Sequence, residues 1–189
     1  MYFVFFIATF HEAKAAIDQL QAKAGGAYFH FENGMIVISG IGPMAVYQAS
    51  KKVPKENCVW INIGIAGAVS QEMSLGSCVR VGAVGRVKRA DHQGTVLLET
   101  PTVIAPSPYI LYSSSTPVYE TLSSEKRALF DMEGYTFARI ALQYRIPFHV
   151  EKVVSDYCQL NSPTLIASSM PSCSKEISAA MLRILGSRY

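Results

Sequence analysis

Residues 2–9 form a continuous apolar run, rich in aromatic and β-branched side chains, and such a strand has no face to give to water. It must be covered on both sides, which points to helices packed against a sheet. The rest of the chain supplies the alternation this requires. A helix is expected over residues 12–22, where Ala13, Ala16, Ile17 and Leu20 share one side. A second strand follows at 35–39, then a helix over 44–52 with Pro43 at its first position. Residues 59–63 read as a third buried strand, and residues 79–98 as one or two β segments in a Gly-rich meander. Residues 101–117, rich in Pro, Ser and Tyr, give no clear element. Helical spacing returns over 135–144, Pro147 starts a strand that ends at Asp156, and residues 174–185 make a final amphipathic helix. Neither a repeat nor a linker interrupts this order. The expectation is one α/β domain over residues 1–189, a three-layer αβα sandwich with a central mixed sheet.

Half of the residues are apolar, 16% are charged, and the formal charge is only +3. Lys51-Lys52 and the cluster at residues 86–89 read as solvated surface, with no aromatic-interleaved basic face for nucleic acid. The cysteines at 58, 78, 158 and 173 form no C-x-x-C pair and have no metal-ligand spacing with the four histidines. They read as reduced thiols of a cytoplasmic protein. The N-terminal run lacks a basic leader and a small-residue cleavage pattern, so it reads as a first strand rather than a signal peptide. No apolar run approaches the ~20 residues that span a bilayer, and no membrane partner is expected.

The chemistry concentrates at the ends of the expected strands, where ligands bind in open α/β sheets. Gly40-Ile41-Gly42 and Gly64-Ile65-Ala66-Gly67 follow two of them directly. Each is either a tight turn or a place where a ligand approaches main-chain N–H groups. Neither matches the G-x-G-x-x-G fingerprint or a P-loop. Asp131-Met132-Glu133-Gly134 opens the helix over 135–144. Asp131 there reads as a helix cap, favoured by the helix dipole. Glu133 reads as an inward carboxylate able to accept from two vicinal hydroxyls. Asp156, at a strand end, is costly to bury unpaired and in its protonated form is a proton donor to a leaving group. Glu12, just past the first strand, is either a solvated first-turn glutamate or a base.

Taken together, Ile7-Ala8 to Glu12, Ser39-Gly40-Ile41-Gly42, Asn62-Ile63-Gly64-Ile65-Ala66-Gly67, Asp131-Met132-Glu133-Gly134 and Ile146-Pro147-Phe148 to Ser155-Asp156 run in an order that resembles the nucleoside phosphorylase and nucleosidase superfamily. The closest resemblance is to its hydrolytic branch, the 5'-methylthioadenosine/S-adenosylhomocysteine nucleosidases and the futalosine-type nucleosidases. The resemblance implies that Glu12 deprotonates the attacking water, that Glu133 holds the ribose hydroxyls with Met132 beside the sugar, and that Asp156 protonates N7 of the purine. Ile41, Gly64, Ile65, Ala66 and Ser155 are the further substrate contacts it implies. Tyr119 is the choice for base stacking, since the family's Phe-containing loop is not recognisable in this chain and Tyr109 and Tyr112 are its competitors. It implies no metal, no organic cofactor, and a homodimer.

Phosphorolysis needs a phosphate pocket built largely from arginines, yet no Arg precedes Arg80, and a carboxylate at Glu12 repels phosphate. Hydrolysis is therefore expected. An acid at 156 donates to N7 and accepts from a 6-amino group, which selects adenine. The 5' group is open between 6-amino-6-deoxyfutalosine, of menaquinone synthesis, and methylthioadenosine or S-adenosylhomocysteine, of methionine salvage. Gly64-Ile65-Ala66-Gly67, with Ile65 where the methylthioadenosine enzymes have Ser, leans toward the former, and Lys152 stands where those enzymes have Arg. A purine nucleoside phosphorylase drawing on Arg80 or Arg86 and a non-catalytic nucleoside-binding relative are the alternatives.

Overall fold

The computed structural model describes residues 1–89, 96–119 and 123–187. In chain order the elements are β1 (Tyr2–Ile7), α1 (Phe10–Gln19), β2 (Lys23–Gly25), β3 (Tyr28–Phe31), β4 (Gly34–Ile38), α2 (Pro43–Ser50) and β5 (Cys58–Ala68). There follow β6 (Cys78–Arg89), β7 (Val96–Leu98), β8 (Thr102–Val103), β9 (Tyr109–Ser113), β10 (Ala128–Asp131), α3 (Gly134–Tyr144), β11 (Phe148–Asp156) and α4 (Ser162–Gly186). These elements make a mixed α/β fold around one large mixed sheet. The meander at 79–98 divides into β6 and β7, with residues 90–95 outside the described segments.

The sheet runs β10-β9-β6-β11-β5-β1-β4-β3-β2. At its centre β1 lies parallel to β4 and β5, and β5 parallel to β11, as buried strands joined by crossovers do. Beyond β11 the order turns antiparallel at β6, and β10 pairs back onto β5 through Leu129↔Ala68 and Phe130↔Gly67. That last pairing bends this half of the sheet round on itself. It also carries the end of β10 to the ends of β5 and β11.

Alternation along the strands sorts the core. Phe3, Phe5, Ile7, Ile61 and Ile63 share a cluster with Ala13, Ala16 and Ile17 of α1 and with Ile177 and Met181 of α4. Val4, Phe6, Trp60 and Val150 share the other with Val46 of α2 and Phe137 and Ala138 of α3. Phe137 stands 5.2 Å from Phe6 and 6.1 Å from Trp60, ring centre to ring centre, so α3 is seated on an aromatic base.

Several expectations need correction. Gly64-Ile65-Ala66-Gly67 is not a turn, because β5 runs straight through it to Ala68. The expected helix over 174–185 is the second half of α4, which begins at Ser162 and carries Pro171 inside it. Residues 23–31 form an unanticipated hairpin, β2 with β3, and residues 101–117 hold β8 and β9. Asp131 ends a strand, β10, rather than opening a helix. The first helix starts at Phe10 and stops at Gln19, two residues early and three residues short. Among the described residues no helix is long and apolar enough to cross a membrane, and all four cysteines are free thiols.

Candidate active site

The segments leaving the carboxyl ends of β1, β5, β10 and β11 enclose a cavity of about 320 Å3, a size suited to a small molecule. Glu12, Ile41, Gly64, Ile65, Ala66, Tyr119, Met132, Glu133, Ser155 and Asp156 all line it. Ile41 and Tyr119 are exposed, whereas Glu12, Glu133 and Asp156 are 3%, 7% and 4% exposed. Tyr109 and Tyr112 do not reach the cavity; Tyr112 stacks on Phe130 instead.

Glu12 is placed by the start of α1. Thr9 caps the helix by accepting from the Glu12 N–H, and its hydroxyl donates to Glu12 Oε1 at 2.8 Å. Thr9-x-x-Glu12 is capping-box spacing, a signal the sequence reading passed over. The glutamate reaches back to the Thr9 backbone N–H, and its Oε2 also accepts from the Ile65 N–H of β5 at 3.1 Å. Gly64 makes room for this. A Cβ there would sit 2.6 Å from Glu12 Oε2, so the glycine of the supposed turn serves close approach. Burial raises the Glu12 pKa, with Thr9, the Ile65 N–H and the Lys152 ammonium pulling the other way. The solvated first-turn reading of Glu12 is thereby set aside.

Glu133 stands just before α3, and its Oε1 accepts from the N–H of Gly42 at 2.5 Å. Gly42 has φ of 91°, and with Pro43 at the first helical position it turns its N–H toward the cavity. Gly40-Ile41-Gly42 is thus a turn and a donor at once. Burial, then the neighbouring Asp131 charge, push the Glu133 carboxyl up to about 7, against Lys152 and the Gly42 N–H.

Asp156 is aimed by an irregularity. The pairing of β11 with β5 skips Ser155, so Asp156 rather than Ser155 lies beside Gly67. Its Oδ1 accepts from the Ser155 hydroxyl at 2.7 Å and its Oδ2 from the Cys158 N–H at 2.9 Å. A side chain at Gly67 would meet Cys158 Sγ at 2.5 Å and Asp156 Oδ2 at 3.0 Å. Burial and the Asp156 charge push the Cys158 thiol up to about 12.

Two further charged groups in the cavity wall form a pair that the sequence did not suggest. Lys152 of β11 is 1% exposed, and its ammonium pairs with Asp131 Oδ2 at 2.8 Å. Asp131 also accepts from the Gly134 N–H at 2.9 Å and from the Ser113 hydroxyl at 2.5 Å; it is not the helix cap, a place Glu133 holds, but it does satisfy the first helical N–H. The signal was a lysine in a strand whose burial leaves it no water. Chemically, the cavity offers a buried carboxylate as base, a second as acceptor for hydroxyls, and a third group at the far strand end for proton exchange.

No protein-family model matches the chain, and no curated sequence relative matches it. Solved structures do. The structure of an MTAN from Chlamydia trachomatis bound to MTA matches with a TM-score of 0.77 at 24% identity, covering 98% of this chain and 98% of that one. The 5'-methylthioadenosine/S-adenosylhomocysteine nucleosidase of S. pneumoniae with the transition-state inhibitor MT-ImmA gives 0.77 at 16% identity, covering 96% and 97%. The Neisseria meningitidis enzyme of that name, in complex with methylthio-immucillin-A, gives 0.77 at 17%, covering 98% and 99%. At these identities the likeness establishes a shared fold over essentially the whole chain.

Proposed function

We propose that the protein is a nucleosidase that hydrolyses the N-ribosidic bond of a 5'-modified adenosine and releases adenine. The observation that carries this reading is the convergence of Glu12, Glu133 and Asp156, from three separate strand ends, on one small buried cavity. Solved proteins of the same fold bind MTA or methylthio-immucillin-A, which supports the ligand class. The helix pairs α1/α4 and α2/α3, each joined to its own core cluster, support a three-layer αβα sandwich in one domain.

Breaking the N-glycosidic bond builds positive charge on the sugar. Three groups answer three needs of that step. Glu12, its proton affinity raised by burial, takes a proton from a water on one face of the ribose. Glu133 keeps its second oxygen for the ribose hydroxyls and adds negative charge beside the oxocarbenium-like centre. Asp156 passes a proton to N7 as the bond breaks and so improves adenine as a leaving group. Tyr119 and Met132 contribute contacts to base and sugar.

The wall supports hydrolysis rather than phosphorolysis. Among the described residues lining the cavity there is no arginine, and the one cation, Lys152, is paired with Asp131. Arg80 and Arg86 are exposed and outside it. Turnover is expected to be independent of added phosphate and to yield a free reducing sugar. A sugar 1-phosphate as product would replace this reading with a phosphorylase.

Ile41, Val118, Ile166 and Met170 give the wall an apolar part, against which an apolar 5' group such as methylthio fits. An aminofutalosine-type group is the second reading, supported by the likeness of Gly64-Ile65-Ala66-Gly67 to futalosine-type members. The exposed Ile41, Met44 and Tyr47 lie together on and before α2 and fit the surface of a cytoplasmic homodimer. Gly64→Ala tests the placement of Glu12. The added methyl displaces the carboxylate from the Ile65 N–H, and a misplacement of about 1 Å costs on the order of 10²-fold in turnover. A folded variant with the parent's rate would remove Glu12 from the reacting centre.

A further inference from the structure

We infer that Lys152 is a positioning residue of this site: tethered by Asp131, its ammonium holds the Glu12 and Glu133 carboxylates in place and favours their charged forms. The inference rests on the nucleosidase reading. Four carboxylates, Glu12, Asp131, Glu133 and Asp156, line one cavity, and Lys152 is the only cation among the described residues of its wall. Like charges packed into a low-dielectric space drive one another to protonate, and a neutral Glu12 or Glu133 is no longer a base or a full acceptor.

The geometry brings the ammonium close to Glu12. Lys152 pairs in register with Gly64 of β5. The side chain missing at Gly64 would lie 2.6 Å from Glu12 Oε2 and 3.9 Å from Lys152 Nζ, so carboxylate and ammonium approach the same glycine. Asp131 is fully engaged as the tether. The Gly134 N–H and the ammonium share its Oδ2, the Ser113 hydroxyl holds its Oδ1, and Ser113 in turn accepts from the Tyr135 N–H at 2.8 Å. This ties β11, β9, β10 and the start of α3 into one buried polar knot. An ion pair so deep is weak evidence for stability, because desolvation offsets most of its attraction, and a role in the site accounts for it better.

The charged groups facing Lys152 are Asp131 and Glu133 from the segment between β10 and α3, and Glu12 from α1. Its neighbour Glu151 points elsewhere, toward Arg80 of β6 and Arg183 of α4. Burial opposes the Lys152 charge, yet Asp131, Glu133 and Glu12 outweigh it and hold its pKa above the ordinary value.

The test is the acid limb of the kcat/KM profile, which reports ionisations of the free enzyme. Lys152→Gln is expected to move the limb up by about one pH unit or more, with activity lost at pH 7 and regained in alkali. Lys152→Arg, which keeps the charge, is expected to leave the limb where the parent has it. Lys152→Met, uncharged and of similar length, is expected to move the limb in the same direction as Lys152→Gln, and it decides the matter if the Gln variant does not fold. A merely structural pair would lower the rate equally at every pH and leave both limbs in place, which would overturn the inference. A parent without turnover would sink the nucleosidase reading first and this inference with it.

Discussion

Glu12→Gln is expected to stop turnover while sparing ligand binding. The substitution is well matched to its surroundings. Glu12 uses one oxygen to accept from the Ile65 N–H and the other to accept from the Thr9 hydroxyl. An amide keeps its oxygen on the Ile65 N–H and turns its NH2 to Thr9, whose hydroxyl accepts as well as donates. Packing and helix cap are retained, and only the capacity to take a proton from water is lost. A general base contributes about 10²–10⁴-fold, and each tenfold is about 1.4 kcal/mol of barrier. Turnover from single-exponential product formation and affinity for methylthioadenosine from calorimetry check it together. A variant that still turns over at the parent's rate would show that the base lies elsewhere.

Asp156→Asn is expected to lose a comparable factor, about 10²–10⁴-fold, on adenine nucleosides. Here too the local bonds can be kept. The amide oxygen accepts from the Cys158 N–H in place of Oδ2, and the NH2 donates to the Ser155 hydroxyl, which turns its own proton to the Ala66 carbonyl 3.3 Å away. An asparagine can hydrogen-bond N7 but cannot protonate it, so the leaving group departs as an anion. The loss should therefore fall on the chemical step, in kcat, with KM little changed. A mild effect on kcat would remove Asp156 as the proton donor and leave it a binding group.

The alternation of elements was legible because strands buried on both faces cannot disguise themselves. Residues 2–9 and 59–63 had no other use. What misled the reading were residues with two meanings. Gly64 and Gly67 look like turn residues, yet they lie inside β5, where Glu12, Asp156 and Cys158 crowd against their bare α-carbons. Pro171 and the serines around it look like a break, yet α4 continues through them over the cavity. The hairpin at 23–31 was not expected, although Gly25-Gly26 is a turn signal and Gly26 takes the left-handed turn at φ 73°. The acidic residues of the site were legible from their places at strand ends. Their couplings were not. Nothing in linear order says that Asp131 meets Lys152, a contact that exists only once β10 has paired back onto β5, or that the Ile65 N–H meets Glu12, which takes the pairing of β1 with β5.

The central claim is hydrolysis of an adenine nucleoside in this cavity, and chromatography of free adenine addresses it directly. The purified protein is incubated with methylthioadenosine, S-adenosylhomocysteine and aminofutalosine, each with and without phosphate. The expected result is adenine released at the same rate in both buffers, fastest from the nucleoside whose 5' group the apolar wall accepts. Adenine only in phosphate would make the protein a phosphorylase, and no adenine from any of the three would contradict the account.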